Sequence, residues 1–179
     1  MSESSGEEQS LVPLDWDDAT EAAEELQRFV LFQACDEWFG LPIQSVREIH
    51  SLERVTRMPN APKEILGILN LRGRVLTLFE LGRCLGIPPG TGPNTHAVVL
   101  DVGDPELQVG FTVQRLAQVQ GLAPSAIEPP PPIEGGPAGV EGICEVEGQV
   151  VSLLNPARVL ARPLSDWGVA VEVQGPVGG

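Results

Sequence analysis

Three thiols and two imidazoles are the side chains of this chain that could build a nucleophile–base pair or a soft metal site: Cys35, Cys84 and Cys144, with His50 and His96. A thiol attacks when a base or a positive field turns it into thiolate, and a zinc site needs its ligands at short, regular spacing. The sequence writes neither pattern. It has no Cys-x-x-Cys, and neither histidine stands at metal spacing from a cysteine. Cys84 and Cys144 sit in apolar stretches and read as core thiols. A Cys/His couple would depend wholly on folding, and each histidine reads as hydrogen-bonded or solvated instead. Three widely spaced cysteines suit reduced thiols better than a disulfide framework. Neighbouring carboxylates, Asp17 with Asp18 and Glu24 with Glu25, fall in an acidic leader whose composition cannot hold them at fixed geometry, so acid–base catalysis there is not expected. No Gly-x-Gly-x-x-Gly and no phosphate loop occurs. The expectation is a chain with no catalytic centre, no metal and no cofactor.

Charge narrows the partners. Eleven Lys and Arg against 25 Asp and Glu give a formal net charge of −14 over 179 residues. Such a surface repels phosphate backbones and anionic lipid. The one basic cluster, Arg54, Arg57, Lys63, Arg72 and Arg74, has few aromatics beside it and so no stacking platform for bases. No run approaches the roughly 18 apolar residues of a membrane span. The start of the chain is acidic and polar, without the positive and apolar parts of a secretory signal, which predicts a cytoplasmic protein.

The elements that must position any site are mostly strands. Residues 1–27 read as an acidic, disordered leader with a possible short helix over Asp17–Leu26, or as a docking segment built on Leu14 and Trp16. From Arg28 to Arg162 short runs rich in Val, Leu, Ile and Phe alternate with turn signals. The runs are Arg28–Gln33, Glu37–Leu41, Val46–Ile49, Ile65–Leu71, Arg74–Phe79, His96–Val102, Leu107–Val113, Leu116–Gln120, Ile143–Val146 and Gln149–Leu154. Short helices are expected over Glu80–Leu85 and Pro156–Leu160. Pro163 is expected to stop the last element and leave 163–179 as a loose tail. Pro88–Pro93 and Pro129–Gly136 read as linkers.

An internal repeat organises these runs. A shift of 75 residues lays Ile65–Gly86 over Val140–Ala161 without a gap, matching Gly67 to Gly142, Gly73 to Gly148, Val75 to Val150 and Arg83 to Arg158. A shift of 70 lays Phe39–His50 over Val109–Gln120. The repeat predicts an all-β fold with short helices, made of two five-stranded units, about 28–90 and 94–162. Each is expected to curl into a small barrel, because closure removes exposed edges, and the two are expected to share one core and leave a groove between them.

The first copy carries a more specific pattern. Met58-Pro59-Asn60-Ala61-Pro62, then Ile65–Gly73 (ILGILNLRG) and Val75-Leu76-Thr77-Leu78, resembles the CheW family of chemotaxis coupling proteins. Phe39–Ile43 and Val46–Ile49 fit the same family. The resemblance spans about Arg28 to Leu160. It departs from the usual family pattern at Thr77, where Pro is common, and at Glu80 and Asn155, where Asp is common.

That resemblance implies two SH3-like barrel subdomains and no catalytic activity. It implies an adaptor that couples the cytoplasmic tip of a chemoreceptor to the regulatory domain of a CheA-type histidine kinase, in membrane-associated or cytosolic arrays, with rings of CheW-like domains as a further assembly. The positions matching the receptor contact are Val46, Glu48, Asn70, Arg72 and Gly73. Those matching the kinase contact are Arg57, Met58, Pro59, Asn60 and Ala61. A helix docked in the groove would take apolar area from Val46 and charge from Glu48 and Arg72. The rigid Pro-rich loop would lose little entropy on binding. The other reading is a diverged adaptor that has lost one of these partners and recruits another protein through its acidic leader.

Overall fold

The computed structural model describes residues 25–132, 134 and 139–168. The leader through Glu24 and the chain beyond Gly168, with the expectations placed on them, lie outside the described residues. Among the described residues ten strands form: β1 (Gln27–Ala34), β2 (Glu37–Pro42), β3 (Val46–Ser51), β4 (Ile65–Leu71), β5 (Arg74–Glu80), β6 (His96–Leu100), β7 (Val109–Val113), β8 (Arg115–Leu122), β9 (Val140–Val146) and β10 (Gln149–Leu154). Two α-helices accompany them there, α1 (Leu81–Leu85) and α2 (Pro156–Asp166), with single 3-10 turns at Ile43–Ser45 and Pro124–Ala126.

The strands make two five-stranded sheets, ordered β3-β6-β7-β5-β4 (barrel I) and β9-β10-β2-β1-β8 (barrel II). In each, the segment leaving one edge strand reaches the other edge. Thr56, beyond β3, bridges Ile68 on β4, and Glu128, beyond β8, bridges Ile143 on β9. Ile68 and Ile143 are repeat partners, so both sheets close by the same device.

The barrels are not the two halves of the sequence. Residues 28–90 and 94–162 do not each curl up alone, as the repeat suggested. The first hairpin of each half crosses over and joins the sheet of the other. β2 runs parallel to β10, with Trp38 opposite Val151, and β7 runs parallel to β5, with Val109 opposite Thr77. The reason lies in the residues of these hairpins. β1 puts Phe29 and Leu31 into the interior of barrel II, while Phe32 and Ala34 face the other way. β6 likewise puts Ala97 and Val99 inside barrel I, and Val98 and Leu100 on its outer side. A strand apolar on both faces must be covered on both faces. Only the position between the barrels does that.

Three apolar clusters result. Phe29, Leu31, Leu122, Cys144, Val151 and Leu153 fill barrel II. Leu76, Leu78, Ala97 and Val99 fill barrel I. The largest cluster lies between the barrels and takes Phe32, Phe39, Phe79, Leu81, Val98, Phe111, Leu154, Leu160 and Leu164 from both halves and both helices. The shared core expected from the repeat is therefore built by the crossed hairpins.

The last helix corrects the sequence reading. Pro163 does not stop it: α2 continues to Asp166, with Pro163 and Leu164 buried. A proline inside a helix costs a hydrogen bond and some ~3 kcal/mol. Here it falls in the final turn, where Trp167 N donates to the carbonyls of Pro163 and Leu164. Leu164 is fully buried, and that burial holds the turn in place. Asn155 caps the start of α2, accepting from Ala157 N at 3.1 Å and Arg158 N at 3.3 Å. Its repeat partner Glu80 precedes α1 without a side-chain cap and pairs with Arg83 at 2.8 Å.

Candidate functional site

The tip of the β4–β5 hairpin turns through Arg72 (φ 53°) and Gly73 (φ 81°). Two successive positive φ values match the right-handed twist of the flanking strands and close the hairpin in two residues. Gly meets that demand without strain, whereas Arg72 is held there by its neighbours. Asn70 Oδ1 accepts a hydrogen bond from Gly73 N at 3.1 Å, which pins the turn. Arg72 Nη2 lies 3.2 Å from Glu48 Oε1, across to β3. Glu48 also meets His50 Nε2, two residues along the same strand.

Four of the five residues matched to a receptor contact thus gather at one tip. Glu48 comes from β3 and Asn70, Arg72 and Gly73 from the hairpin, and barrel closure joins them. The fifth, Val46, is half-buried against the shared core. Between Val46 and Glu48 the β3–β6 register shifts, so Arg47 is the bulged residue. A bulge re-aims its side chain. Arg47 Nη2 reaches the Asp104 carbonyl at 3.1 Å and the Asp101 carboxylate at 3.6 Å.

The residues matched to a kinase contact lie on the connector between β3 and β4, just past the Thr56 bridge. Arg57, Pro59 and Asn60 are exposed, and Met58 and Ala61 are half-buried. Ala61 packs on the shared core, and Asn60 takes φ 62° in the turn that follows Pro59. The connector is anchored where it rejoins β4. There Glu64, buried, pairs with Arg162 of α2 at 3.2 Å. Removing the cation would leave a carboxylate stranded away from water.

Each imidazole first considered for chemistry bonds a group other than a thiol. His50 bonds Glu48, and His96 Nδ1 bonds the Thr95 hydroxyl at 2.8 Å. Cys84 and Cys144 are buried in two different clusters. Burial raises the pKa of both thiols, and for Cys84 the Glu64 carboxylate raises it further. Burial also raises that of half-buried Cys35.

Several contacts were missed by reading the chain. Asp36 sits with Cys35 in a positive-φ turn and receives Gln114 Nε2 at 3.0 Å and Thr91 N at 2.9 Å. The Gln114 amide and Thr91 hold its carboxyl below the usual aspartate range. This triad ties the Pro88–Pro93 linker to both halves. The Glu147-Gly148 turn is legible in the sequence, but the side-chain contacts at this second hairpin tip are not. Glu147 (φ 51°) and Gly148 (φ 80°) repeat the first turn. Gln118 Nε2 donates to Glu147 Oε2 at 3.2 Å and to Gln120 Oε1 at 2.8 Å. Under the two repeat shifts, Gln118, Gln120 and Glu147 are the counterparts of Glu48, His50 and Arg72. The shifts held that signal, had they been carried to side-chain contacts.

An exposed ion pair on a pinned hairpin presents charge in a fixed place, which suits recognition. Comparison with known proteins agrees with a recognition fold. The family described as CheW-like domain matches residues 28–164. A probable chemotaxis protein CheW of Rhizobium etli is 28% identical over 142 residues, covering 78% of this chain and 91% of that protein. The chemotaxis protein CheW of Rhizobium meliloti is 28% identical over 131 residues, covering 72% of this chain and 84% of that one. Among solved structures, the scaffolding protein TtCheW of Thermoanaerobacter tengcongensis superposes with a TM-score of 0.63 at 26% identity, covering 73% of this chain and 89% of that chain. With two crossed barrels around one core, the tip motif in place and a family match over nearly every described residue, the chain belongs to the CheW-like domain family.

Proposed function

We propose that this protein is a non-enzymatic adaptor of a chemosensory pathway, joining the cytoplasmic tip of a chemoreceptor to the regulatory domain of a CheA-type histidine kinase. The observation that carries the reading is the gathering of Glu48, Asn70, Arg72 and Gly73 at one hairpin tip. Its chemistry suits a helical partner: Arg72 is largely exposed, and its pair with Glu48 is weak enough, ~0–1 kcal/mol, to exchange for a partner's charges. The connector carrying Arg57, Met58, Pro59, Asn60 and Ala61 is the kinase-facing surface of this reading. Its Pro-Asn turn and its Glu64–Arg162 anchor limit the entropy lost on docking. The mechanism is positional. The adaptor performs no chemistry and alters kinase output by holding the kinase in one arrangement relative to the receptor. Membership of a family that includes chemotaxis proteins and a scaffolding protein supports this role. Among the described residues no helix is long and apolar enough to cross a membrane, so membrane proximity in this reading comes from the receptor.

Calorimetric titration of the purified chain against a receptor-tip fragment and against a kinase regulatory domain tests it. Arg72→Glu is expected to weaken the receptor titration and spare the kinase titration, while Met58→Asp does the reverse. An unchanged receptor affinity in Arg72→Glu would remove the tip from the interface.

A further inference from the structure

Barrel I and barrel II differ at one place that the repeat makes comparable, the mouth beside the bulged strand. In barrel I the bulge residue is Arg47, whose guanidinium crosses to Asp101 and Asp104, and Arg74 Nη2 approaches the Pro105 carbonyl at 3.5 Å. In barrel II the register shift on β8 falls at Ala117, the counterpart of Arg47. A methyl group cannot span the mouth. An open cavity of about 140 Å³ remains there, lined by Leu31, Trp38, Ala117, Val146 and Val151, with Glu147 at its rim. Trp38 stands at the position of Gln108 in barrel I, and Arg115 lies 5.7 Å from its ring centroid, steadying that wall.

We propose that this cavity is a socket for one Phe or Leu side chain of a partner protein, presented beside a Lys or Arg. Size sets the first half of the statement: an apolar protein cavity of roughly 150 Å³ holds one benzene. Charge sets the second. Among the described residues no Lys or Arg pairs with Glu147, the carboxylate at the rim. A basic residue beside the anchor would meet this carboxylate. The chain's own leader fits worse, because its Leu14 and Trp16 flank Asp15 and precede Asp17 and Asp18. The socket is distinct from the Arg72 tip and from the Met58 connector, and it stands or falls apart from the function proposed above.

The probe is a capped Arg-Gly-Phe-Gly-Arg peptide, titrated into the isotope-labelled full chain and followed by NMR, with a capped Glu-Gly-Phe-Gly-Glu peptide as control. The expected result is a saturable shift of the Trp38 indole and of the Leu31, Val146 and Val151 methyls. The acidic peptide should bind roughly tenfold more weakly, since about one ion pair's worth of attraction turns to repulsion. Ala117→Arg copies the plug of barrel I and should abolish the shifts, and Ala117→Leu should do so without adding charge. Absence of a saturable shift at millimolar peptide would overturn the proposal. So would equal binding of the two peptides, or shifts that persist in both folded Ala117 variants. If Leu14→Ala with Trp16→Ala moves the same methyls in the absence of peptide, the leader is the occupant and the proposal is wrong.

Discussion

Arg72-Gly73 and Glu147-Gly148 turn the chain with nearly equal angles, φ 53° and 81° against 51° and 80°. Around them the same three positions form the same contacts, Arg72–Glu48–His50 in barrel I and Glu147–Gln118–Gln120 in barrel II. Exposed apolar residues repeat too: Ile49 and Val75 on one barrel, Val119 and Val150 on the other. What differs is the chemistry laid on this common frame. Barrel I carries an ion pair at its tip and a guanidinium across its mouth, whereas barrel II carries an amide–carboxylate contact and an open apolar mouth. The duplicated backbone is set by turns, bulges and the shared core, and these leave the tip side chains free to diverge. Function on this fold is therefore sought where the copies disagree.

The comparison can be broken hardest at the core. Phe79→Ala, in the cluster common to both barrels, is expected to cost about 3–5 kcal/mol. Hydrogen exchange should then speed up in both barrels together, because neither sheet is complete without a hairpin from the other half. Loss of protection in barrel I alone would show that the barrels are separable units.

The paired glycines Gly67 and Gly142 sharpen it. A Cβ on Gly67 would run into the Thr56 carbonyl, at the bridge that closes barrel I, whereas one on Gly142 would meet the Cγ2 methyl of Ile127. Backbone cannot yield as a side-chain methyl can. Gly67→Ala should cost ~3 kcal/mol and Gly142→Ala ~1 kcal/mol in denaturant melts. Equal costs would mean that the closures are alike after all.

At the helix starts the asymmetry is smaller. Asn155→Ala removes two accepted backbone hydrogen bonds and should cost ~1 kcal/mol. Glu80→Ala removes only a partly exposed pair with Arg83 and should cost no more than ~0.5 kcal/mol. Thermal melts of the two variants decide between a real cap and a coincidental one.

The effect on stability is small at the tips as well. Arg72→Glu and Glu147→Arg should each change stability by less than ~1 kcal/mol. Receptor affinity should fall in the first and hold in the second. Equal losses of affinity would mean that the two tips act as one surface.

Much of this molecule was legible in its residues. Short apolar runs between turn signals marked the ten strands, because β-branched and aromatic residues fit a pleated, half-buried surface and Gly permits the turns. The 75- and 70-residue shifts exposed the duplication, and the Asn70–Gly73 pattern pointed to the family. Local spacing cannot report which copy a strand pairs with, however. β1, β2 and β6 carry apolar residues on both faces, which demands burial on both sides but names no neighbour. Only the tertiary structure decided that the first hairpins cross over, that Leu164 carries α2 through Pro163, and that Glu64 of one half pairs with Arg162 of the other. The mouths follow the same division. Arg47 and Ala117 stood in the sequence at matching places, yet plug and cavity appear only when the bulges aim them at loops far away in the chain. Composition, periodicity and turn chemistry are local properties and are written in the sequence. Parallel pairing, shared burial and cavities are sums over distant segments, and they exist only once the chain has closed on itself.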